Sequence, residues 1–558
     1  MKEQIADALA AELRGQLDLQ EIEKAIEIPP SDNLGDYAFP CFGLAKILKK
    51  NPVQIAGQLK EKLHIDGIKV EITGGYLNFF VDKKQLAAST IDLSSQDTFG
   101  KRNTGQRVVI EFASPNTNKP LHLGHLRNMS IGDSVTRILS FCGCDVTKTS
   151  INNDRGVHIC KSMLAYLRRG EGATPESAGI KSDHFVGDYY VLFNQEAVKY
   201  PSWNEDAQEM LQKWENNDQK TLELWRTMNR WALDGFRETY RLFGISFDKE
   251  YYESDIYKNG KEIVQEGLDK NIFSKRKDGA VVVDLEREKL GEKVLLRPDG
   301  TSVYIVQDLF LALLKDQDFH YDRSFYVVGN EQDYHFAVLT AIFRKLGLSA
   351  ADKMKHLSYG MVELPEGKMK SREGTVVDAD DLIKETANLA KEEVAARYRI
   401  SEEQIEERSL KIALAAIKYQ LLKVDITKTM VFDPKKAISF EGDTGPYLLY
   451  SYARASSILR KAPPLQAPVI TNPEAGEIKL VKKIAFFPSA VNFACERLSP
   501  SVIANYAFDL AQSFNEFYHS HQVIGSDNEN FRLHLTSSFR LTLSKCLMLL
   551  GIETIEEM

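Results

Sequence analysis

The segment Pro115 to Arg127, with the sequence PNTNKPLHLGHLR, holds residue types suited to binding phosphate. His122 and His125 are spaced to share one face of a helix, and imidazole N–H groups can donate to phosphate oxygens. Gly124 has no side chain, so a flat ring such as a purine could approach its backbone. An H-x-x-H pair taken alone is more often two surface histidines, so the interpretation depends on the surrounding elements.

Those surrounding elements are a strand and a helix. The apolar run Arg107 to Phe112 predicts a buried strand, and Met129 to Phe141 has apolar residues at helical spacing. A loop therefore leaves a strand and opens a helix at the histidines. Free backbone N–H groups and the positive end of the helix dipole at such a start favour phosphate.

A second loop, Pro365 to Val377, places Lys368, Lys370 and Arg372 between two glycines. Such a loop suits a triphosphate whose charge must be neutralised as it reacts. Taken alone, a basic surface loop is the commoner interpretation. Walker A, G-x-G-x-x-G, H-E-x-x-H, G-x-S-x-G and paired C-x-x-C patterns are all missing from the sequence, which disfavours the chemistries they carry.

The length and composition of the chain indicate the broad class of protein. The chain has 558 residues, too many for one core, and is 43% hydrophobic and 27% charged. Its net charge of −8 neither indicates nor excludes nucleic acid, because a locally basic face is sufficient. Six scattered cysteines, an acid-bearing amphipathic N-terminus and no apolar run near the ~18 residues of a membrane span predict a reduced, cytoplasmic protein. With no long apolar seam, we expect a monomer.

The element pattern predicts three domains. The pattern predicts an α+β domain at residues 1–105 that ends in a polar linker. It predicts an all-α helical bundle at residues 386–558. Between them, the pattern predicts an α/β, Rossmann-type parallel-sheet domain at residues 106–385, with a mainly helical insertion at about 160–255. The strands of AVVVDLE and VLLRPDG are expected to resume this sheet, with a tight hairpin signal at Asp299–Gly300.

HLGH at a helix start, followed by KMKS, resembles the two signature motifs of class I aminoacyl-tRNA synthetases. Six longer strings in order resemble the arginyl-tRNA synthetase family across almost the whole chain: GDYAFPCFGLAK, EFASPNTNKPLHLGHLR, VGDYYV, YVVGNEQDYHF, GPYLLYSYAR and LGIETIEEM. The resemblance implies that ATP activates arginine to arginyl-adenylate, releasing pyrophosphate. Arginine then passes to the 3′-terminal adenosine of tRNA(Arg), and the first step requires bound tRNA. Mg²⁺ would come with ATP, and no protein-bound metal is implied.

By the same resemblance, the arginine-binding residues are Glu111, Asn116, Tyr304, Asp308 and Gln332. Their chemistry fits, because a guanidinium is permanently charged with five donors and needs carboxylate and carbonyl acceptors. Tyr304 and Asp308 lie one helical turn apart and can face one site.

The resemblance also implies the groups that act on ATP. By this resemblance, the catalytic residues would be Lys119, His122, His125, Lys368 and Lys370. The ATP-binding residues would be His122, Gly124, His125, His335, Met369 and Ser371. Two departures from the family pattern stand out. Ser371 and Arg372 end the second motif where many class I enzymes have a lysine, and Lys119 is expected to substitute for it. Gln307 stands where the family usually has arginine.

The resemblance implies that the C-terminal helical domain reads the anticodon and that the N-terminal domain contacts the tRNA elbow. Tyr447, Tyr450 and Arg454 are candidate tRNA contacts, although helix packing and a surface cation explain them equally well. A cysteinyl enzyme would need a zinc-binding cysteine set, and a glutaminyl pocket has no use for paired carboxylates. A non-catalytic RNA-binding or scaffolding relative is the remaining alternative, and it would be expected to have lost the two motifs.

Overall fold

The structure is a computed structural model that describes residues 1–365 and 377–558. It divides the chain into two compact units. The first comprises residues 1–99, 454–487 and 509–542, and the second comprises 100–453, 488–508 and 543–558. No helix in the described ranges is both long and apolar enough to cross a membrane.

The N-terminal residues of the first unit form a small α+β layer. Strand β1 pairs with β3, which pairs with β2, all antiparallel. Asn51 caps α4 and Pro52 is its first residue, as expected from proline's missing N–H. The elements are α1 Lys2–Glu12, α2 Leu19–Ala25, a 3₁₀ turn Asp32–Leu34, β1 Tyr37–Pro40, α3 Phe42–Leu48, α4 Pro52–Lys62, β2 Ile68–Thr73, β3 Tyr76–Val81 and α5 Lys83–Ser94.

The second unit is built on a five-stranded parallel sheet, in agreement with the predicted fold class. Its strand order is β11-β10-β4-β5-β6. Helix α6 connects β4 to β5, whereas β10 lies on the other side of β4, so the winding direction reverses at β4. Ligands of open α/β sheets bind beyond the carboxyl ends of the strands at such a reversal. The elements are β4 Arg107–Glu111, α6 Leu123–Phe141, β5 Asp145–Asn152, β6 Lys249–Tyr252, β10 Arg323–Gly329 and β11 Met354–Tyr359.

A helical insertion separates β5 from β6, as predicted. Its longest helix, α11, begins at the Asp218 cap and ends at Gly244, a left-handed residue with φ of 73°. Aromatic rings fill its interior, including Trp214 and Trp225 with centroids 5.3 Å apart. The helices are α7 Val157–Arg169, α8 Pro175–Ala178, α9 Ser182–Lys199, α10 Ser202–Glu215 and α11 Gln219–Phe243.

The strands expected to resume the parallel sheet do not do so, and that prediction was wrong. Strands β7 Phe273–Lys275, β8 Val281–Leu285 and β9 Gly291–Leu296 form a separate antiparallel sheet. The turns between them are too short for the crossover that parallel pairing needs. The signal at Asp299–Gly300 does mark a turn, in which the Gly300 N–H donates to the Arg297 carbonyl at 2.9 Å.

Helices dominate the rest of the second unit. They are α12 Glu253–Ile256, α13 Lys261–Asp269, α14 Tyr304–Phe319, a 3₁₀ turn Asn330–Gln332, α15 Asp333–Leu346, α16 Ala350–Lys353, α17 Ala379–Arg397, α18 Glu402–Leu422 and α19 Pro434–Ala437. Two short strands, β12 Val362–Glu363 and β13 Met430–Val431, pair in parallel.

The C-terminal region is helical, as predicted. Its helices are α20 Gly445–Lys461, α21 Ala475–Ala485, α22 Phe487–Arg497, α23 Pro500–Ser520 and α24 Glu529–Leu549. Their buried faces are rich in alanine and leucine.

Candidate active site

The candidate site begins with a strained turn at the carboxyl end of β4. Ala113 and Ser114 have φ values of 69° and 47°, a left-handed conformation that costs free energy outside glycine. The Ala113 N–H donates to Asn128 Oδ1 at 2.6 Å, and the Ser114 N–H donates to Ser150 Oγ at 3.3 Å. These side chains therefore hold the strained backbone in the loop that precedes HLGH.

The two motif histidines form one unit at the start of α6. The Gly124 N–H donates to His122 Nδ1 and the His122 N–H donates to His125 Nδ1, both at 3.1 Å. Since both Nδ1 atoms accept, each ring carries its proton on Nε2 and can donate it outward. The ring centroids lie 3.9 Å apart. A Cβ at Gly124 would lie 2.9 Å from the His122 ring, so glycine is required for this arrangement.

Both histidines are neutral near pH 7. Burial, with a further contribution from Lys119, lowers the pKa of His122 to about 4. Burial, then His122 and Lys119, holds the pKa of His125 well below its usual range. The pKa of Lys119 is itself lowered by burial. The structure therefore brings Lys119 close to both rings and gives this end of the site neutral N–H donors beside one ammonium.

The backbone of HLGH is tied to the segment that follows the second loop. The Leu123 N–H donates to the Val377 carbonyl, and the Ala379 N–H donates to the Leu121 carbonyl, each at 3.0 Å. The second-motif candidates Lys368, Met369, Lys370 and Ser371 lie outside the described residues. The chain that leaves their loop nevertheless enters α17 directly beside the first motif.

A charge cluster fixes that junction from the side of the insertion. His184 Nε2 lies 3.1 Å from Asp380 and 3.3 Å from Asp378, and its hydrogen bond to Asp380 raises its pKa to about 9. Burial acts against ionisation of Asp380, but hydrogen bonds from His184 and Lys181 hold its pKa at about 2. Asp183, His184 and Asp380 are spaced to share a metal ion. The Lys181 ammonium already contacts both carboxylates, at 3.3 and 2.6 Å, and supplies a cation there.

Glycine lets the insertion approach the first motif. Gly187, from the string VGDYYV, lies in α9, and a Cβ there would lie 2.6 Å from Cδ of Pro120. Any larger residue would push α9 away from the loop that carries Lys119.

The candidate arginine-binding residues lie on three elements at the same edge of the sheet. Asp308 lies in the second turn of α14, where His335 Nε2 approaches its Oδ2 at 2.6 Å. Tyr304, the first residue of α14, is 70% exposed. Asn116 and Gln332 also present their side chains to solvent, after β4 and β10. His335 was expected beside the nucleotide; here it binds Asp308, and its ATP contact stays a prediction.

Glu111 differs from the other candidates because it is buried and its partner is a lysine. Its carboxylate, the last side chain of β4, accepts a short hydrogen bond from the Lys315 ammonium of α14. The side chains of Lys315 and Glu111 are 0% and 8% exposed. Sequence reasoning missed Lys315, although its seven-residue separation from Asp308 predicts the same helix face.

Glu253 is a further carboxylate near Asp308, and the sequence did not indicate it. Burial, opposed by Arg155 and assisted by Asp154 and Asp308, raises the pKa of Glu253 to about 7. Arg155 Nη1 lies 3.6 Å from Glu253, and its guanidinium stacks 4.1 Å from the Tyr257 ring centroid. The site therefore contains internal cations that partly balance its acids.

The candidate tRNA contacts lie on α20, and the structure shows what they pack against. Arg454 donates to Asn515 and stacks 4.8 Å over Tyr518. Tyr447 packs against Phe508 with ring centroids 5.7 Å apart, and Tyr450 is half-buried. A role in tRNA binding stays a prediction for all three.

Family comparisons cover nearly the whole chain. Residues 90–434 match the catalytic domain of tRNA synthetases class I (R), residues 1–81 the arginyl tRNA synthetase N terminal domain, and residues 448–558 the DALR anticodon binding domain.

Individual relatives agree with these matches. The chain is 45% identical to an arginine–tRNA ligase of Treponema pallidum, covering 96% of this chain and 94% of that protein. It is 43% identical to one of Bacteroides thetaiotaomicron, covering 96% and 95%. The solved Thermus thermophilus arginyl-tRNA synthetase is similar with a TM-score of 0.87 and 28% identity, over 100% of this chain and 99% of that one.

Proposed function

The chain belongs to the arginyl-tRNA synthetase family of class I tRNA synthetases, and we propose on this premise that it joins L-arginine to tRNA(Arg). An arginine carboxylate oxygen attacks the α-phosphorus of ATP, the bond to the β-phosphate breaks, and pyrophosphate leaves. The 2′-hydroxyl of the terminal adenosine then attacks the arginyl carbonyl and gives up its proton, the bond from that carbonyl to the phosphate breaks, and AMP leaves. The observation that carries the proposal is the paired His122–His125 start of α6 beside Lys119.

The nucleotide end of the site works by position and charge. His122 and His125 present Nε2–H donors where phosphate oxygens would lie, together with the N–H groups of the helix start. Lys119 supplies the nearby positive charge that stabilises pyrophosphate as it leaves. This fits the proposed replacement of the lysine that the second motif lacks. Lys368 and Lys370 would add charge to the same phosphates, with Met369 and Ser371 contacting the nucleotide.

The amino-acid end suits a guanidinium. Asp308 offers a carboxylate that His335 holds by one oxygen, leaving the other oxygen for a charge-assisted hydrogen bond from the guanidinium. Tyr304 is placed one turn earlier, where its exposed ring can cover the ligand. Asn116 and Gln332 supply neutral hydrogen-bonding groups at the loop ends of β4 and β10.

Divalent metal would enter with the nucleotide. When bound to the phosphates of ATP, Mg²⁺ would neutralise part of their negative charge. The Asp183–His184–Asp380 cluster does not fit as its site, because the Lys181 ammonium occupies it. The residues of this chain that act on the phosphates are therefore hydrogen-bond donors and lysines.

The remaining parts of the chain would bind tRNA. We propose domains at 1–105, 106–385 and 386–558, with the first contacting the tRNA elbow and the third reading the anticodon through Tyr447, Tyr450 and Arg454. Because the net charge is −8, these contacts must be local, and binding should weaken as salt rises. We propose a cytoplasmic monomer.

The test is ATP–pyrophosphate exchange with each amino acid, with and without tRNA(Arg). The expected result is exchange that requires both arginine and tRNA. Exchange with a different amino acid, or none with arginine and tRNA together, would refute the proposed function.

A further inference from the structure

Lys315 is a buried cation in the wall of the proposed arginine site. It lies on α14 seven residues after Asp308, and its side chain is 0% exposed. Burial lowers its pKa, whereas Glu111 and Asp308 raise it, so both carboxylates lie within its electrostatic reach. Lys315 therefore lies close to the two acids that are proposed to receive the guanidinium.

The contacts of Lys315 account for its burial. Its ammonium donates to Glu111, and it lies 4.3 Å from the ring centroid of Tyr326 and 6.0 Å from that of Tyr251. Burying an unpaired ammonium is strongly unfavourable, while a carboxylate partner and aromatic faces offset that cost. The ion pair thus satisfies two groups that could not be buried charged on their own.

We propose that Lys315 is a positioning and specificity-determining residue that neutralises Glu111, so that Asp308 alone supplies the charge that selects arginine. The charges of Lys315 and Glu111 sum to zero. The nearby Glu253 has Arg155 as its partner at 3.6 Å. Asp308, whose partner is a histidine and whose side chain is 39% exposed, then carries the single negative charge that faces a single guanidinium charge. Glu111 keeps an oriented oxygen that accepts a hydrogen bond without setting the charge of the pocket.

This assignment of the selecting charge to Asp308 rests on the proposed arginine specificity and names the group that provides it. Two free carboxylates in one small pocket would repel each other, and one would take up a proton. Lys315 removes that repulsion by pairing with Glu111. The pocket therefore matches a monocation rather than a dication or a neutral side chain.

A double-mutant cycle tests the pair. Lys315→Met and Glu111→Gln should each lower the midpoint of thermal unfolding, because each leaves the other group buried and charged alone. The double variant should recover most of that loss. In tRNA aminoacylation, the double variant should raise the KM for arginine only about fivefold, against about thirtyfold or more for Asp308→Asn, with the KM for ATP within about twofold in both.

Several outcomes would overturn the inference. If the double variant loses arginine affinity as far as Asp308→Asn does, Glu111 carries the selecting charge. If the single variants are as stable as the wild type, the buried pair is not formed. If the KM values for arginine and ATP rise together, Lys315 acts only through the fold.

A second measurement does not depend on the folding of the buried variants. Citrulline replaces the guanidinium by a neutral ureido group of the same shape, so the ratio of its inhibition constant to that of arginine analogues reports charge selection. In Asp308→Asn this ratio should fall by about thirtyfold or more. A ratio close to the wild type would assign the charge to another acid and refute the inference. Failure of the wild-type enzyme to use arginine would instead refute the proposed function.

Discussion

His335 Nε2 lies 2.6 Å from Asp308 Oδ2, which joins the first turn of α15 to the second turn of α14. The two helices follow different strands, and this contact fixes how the Asp308 carboxylate faces the site. Because one oxygen is held by His335, the other is left for a ligand. The pair thus converts an exposed acid into an oriented one.

We expect Asp308→Asn to raise the KM for arginine by about thirtyfold or more and to change that for ATP little, because the guanidinium loses its charge partner. Initial rates of aminoacylation with either substrate varied give both constants. Asp316→Asn, on the same helix but paired with Lys353 at 2.9 Å, is the matched control. An equal rise in both constants would remove Asp308 from the arginine pocket.

We expect Lys119→Ala to slow adenylate formation by about a hundredfold or more, because it removes the ammonium next to the histidine pair. Rapid-quench measurement of the first turnover isolates that step. Lys148→Ala is the control, since Lys148 donates to Ser246 at 2.7 Å away from the motif. A nearly unchanged rate would show that Lys119 does not replace the missing second-motif lysine.

We expect His122→Asn to keep the helix start but lose catalysis. The asparagine oxygen can accept the Gly124 N–H as Nδ1 does, and asparagine is a favoured N-cap, so the unfolding free energy should change by less than about 1 kcal/mol. The outward Nε2–H donor is lost, so kcat should fall by about a hundredfold. Thermal unfolding and aminoacylation together separate the two effects; full activity would mean that His122 is only a cap.

We expect stability at His184 to depend on pH. Its pKa is raised to about 9 in the fold, from an ordinary 6.5, by Asp380 and Asp378. The stabilisation is therefore fully present below pH 6.5 and is lost as the pH rises through 9. His184→Gln should reduce stability by about 1–2 kcal/mol near pH 6, allowing for solvent screening, and by much less at pH 9.5.

Thermal unfolding across that range measures the effect, with the exposed His64→Gln as control. His122 and His125, with lowered pKa values, act in the opposite sense and lose stabilisation as the pH falls below 6.5. A His184→Gln deficit that stayed constant with pH would mean that the Asp378–Asp380 cluster does not hold a protonated imidazole.

Local patterns in the sequence predicted much of this molecule. The strand, loop and helix around His122, the helical insertion and the helical C-terminal region all follow from periodicity, caps and turns. Such features depend on residues a few positions apart, so the sequence alone specifies them. The motif strings also identified the family.

Only the tertiary structure decided which partner each charge has. Lys315 and Glu111 are 204 residues apart in sequence, and His335 and Asp308 are 27 apart. The sequence predicted strands β8 and β9 as members of the parallel sheet, but pairing between strands depends on where chain segments meet in space. The sequence by itself determined the elements and the chemistry available, whereas folding determined the electrostatics, because charge pairing depends on distance in space and on exclusion of water.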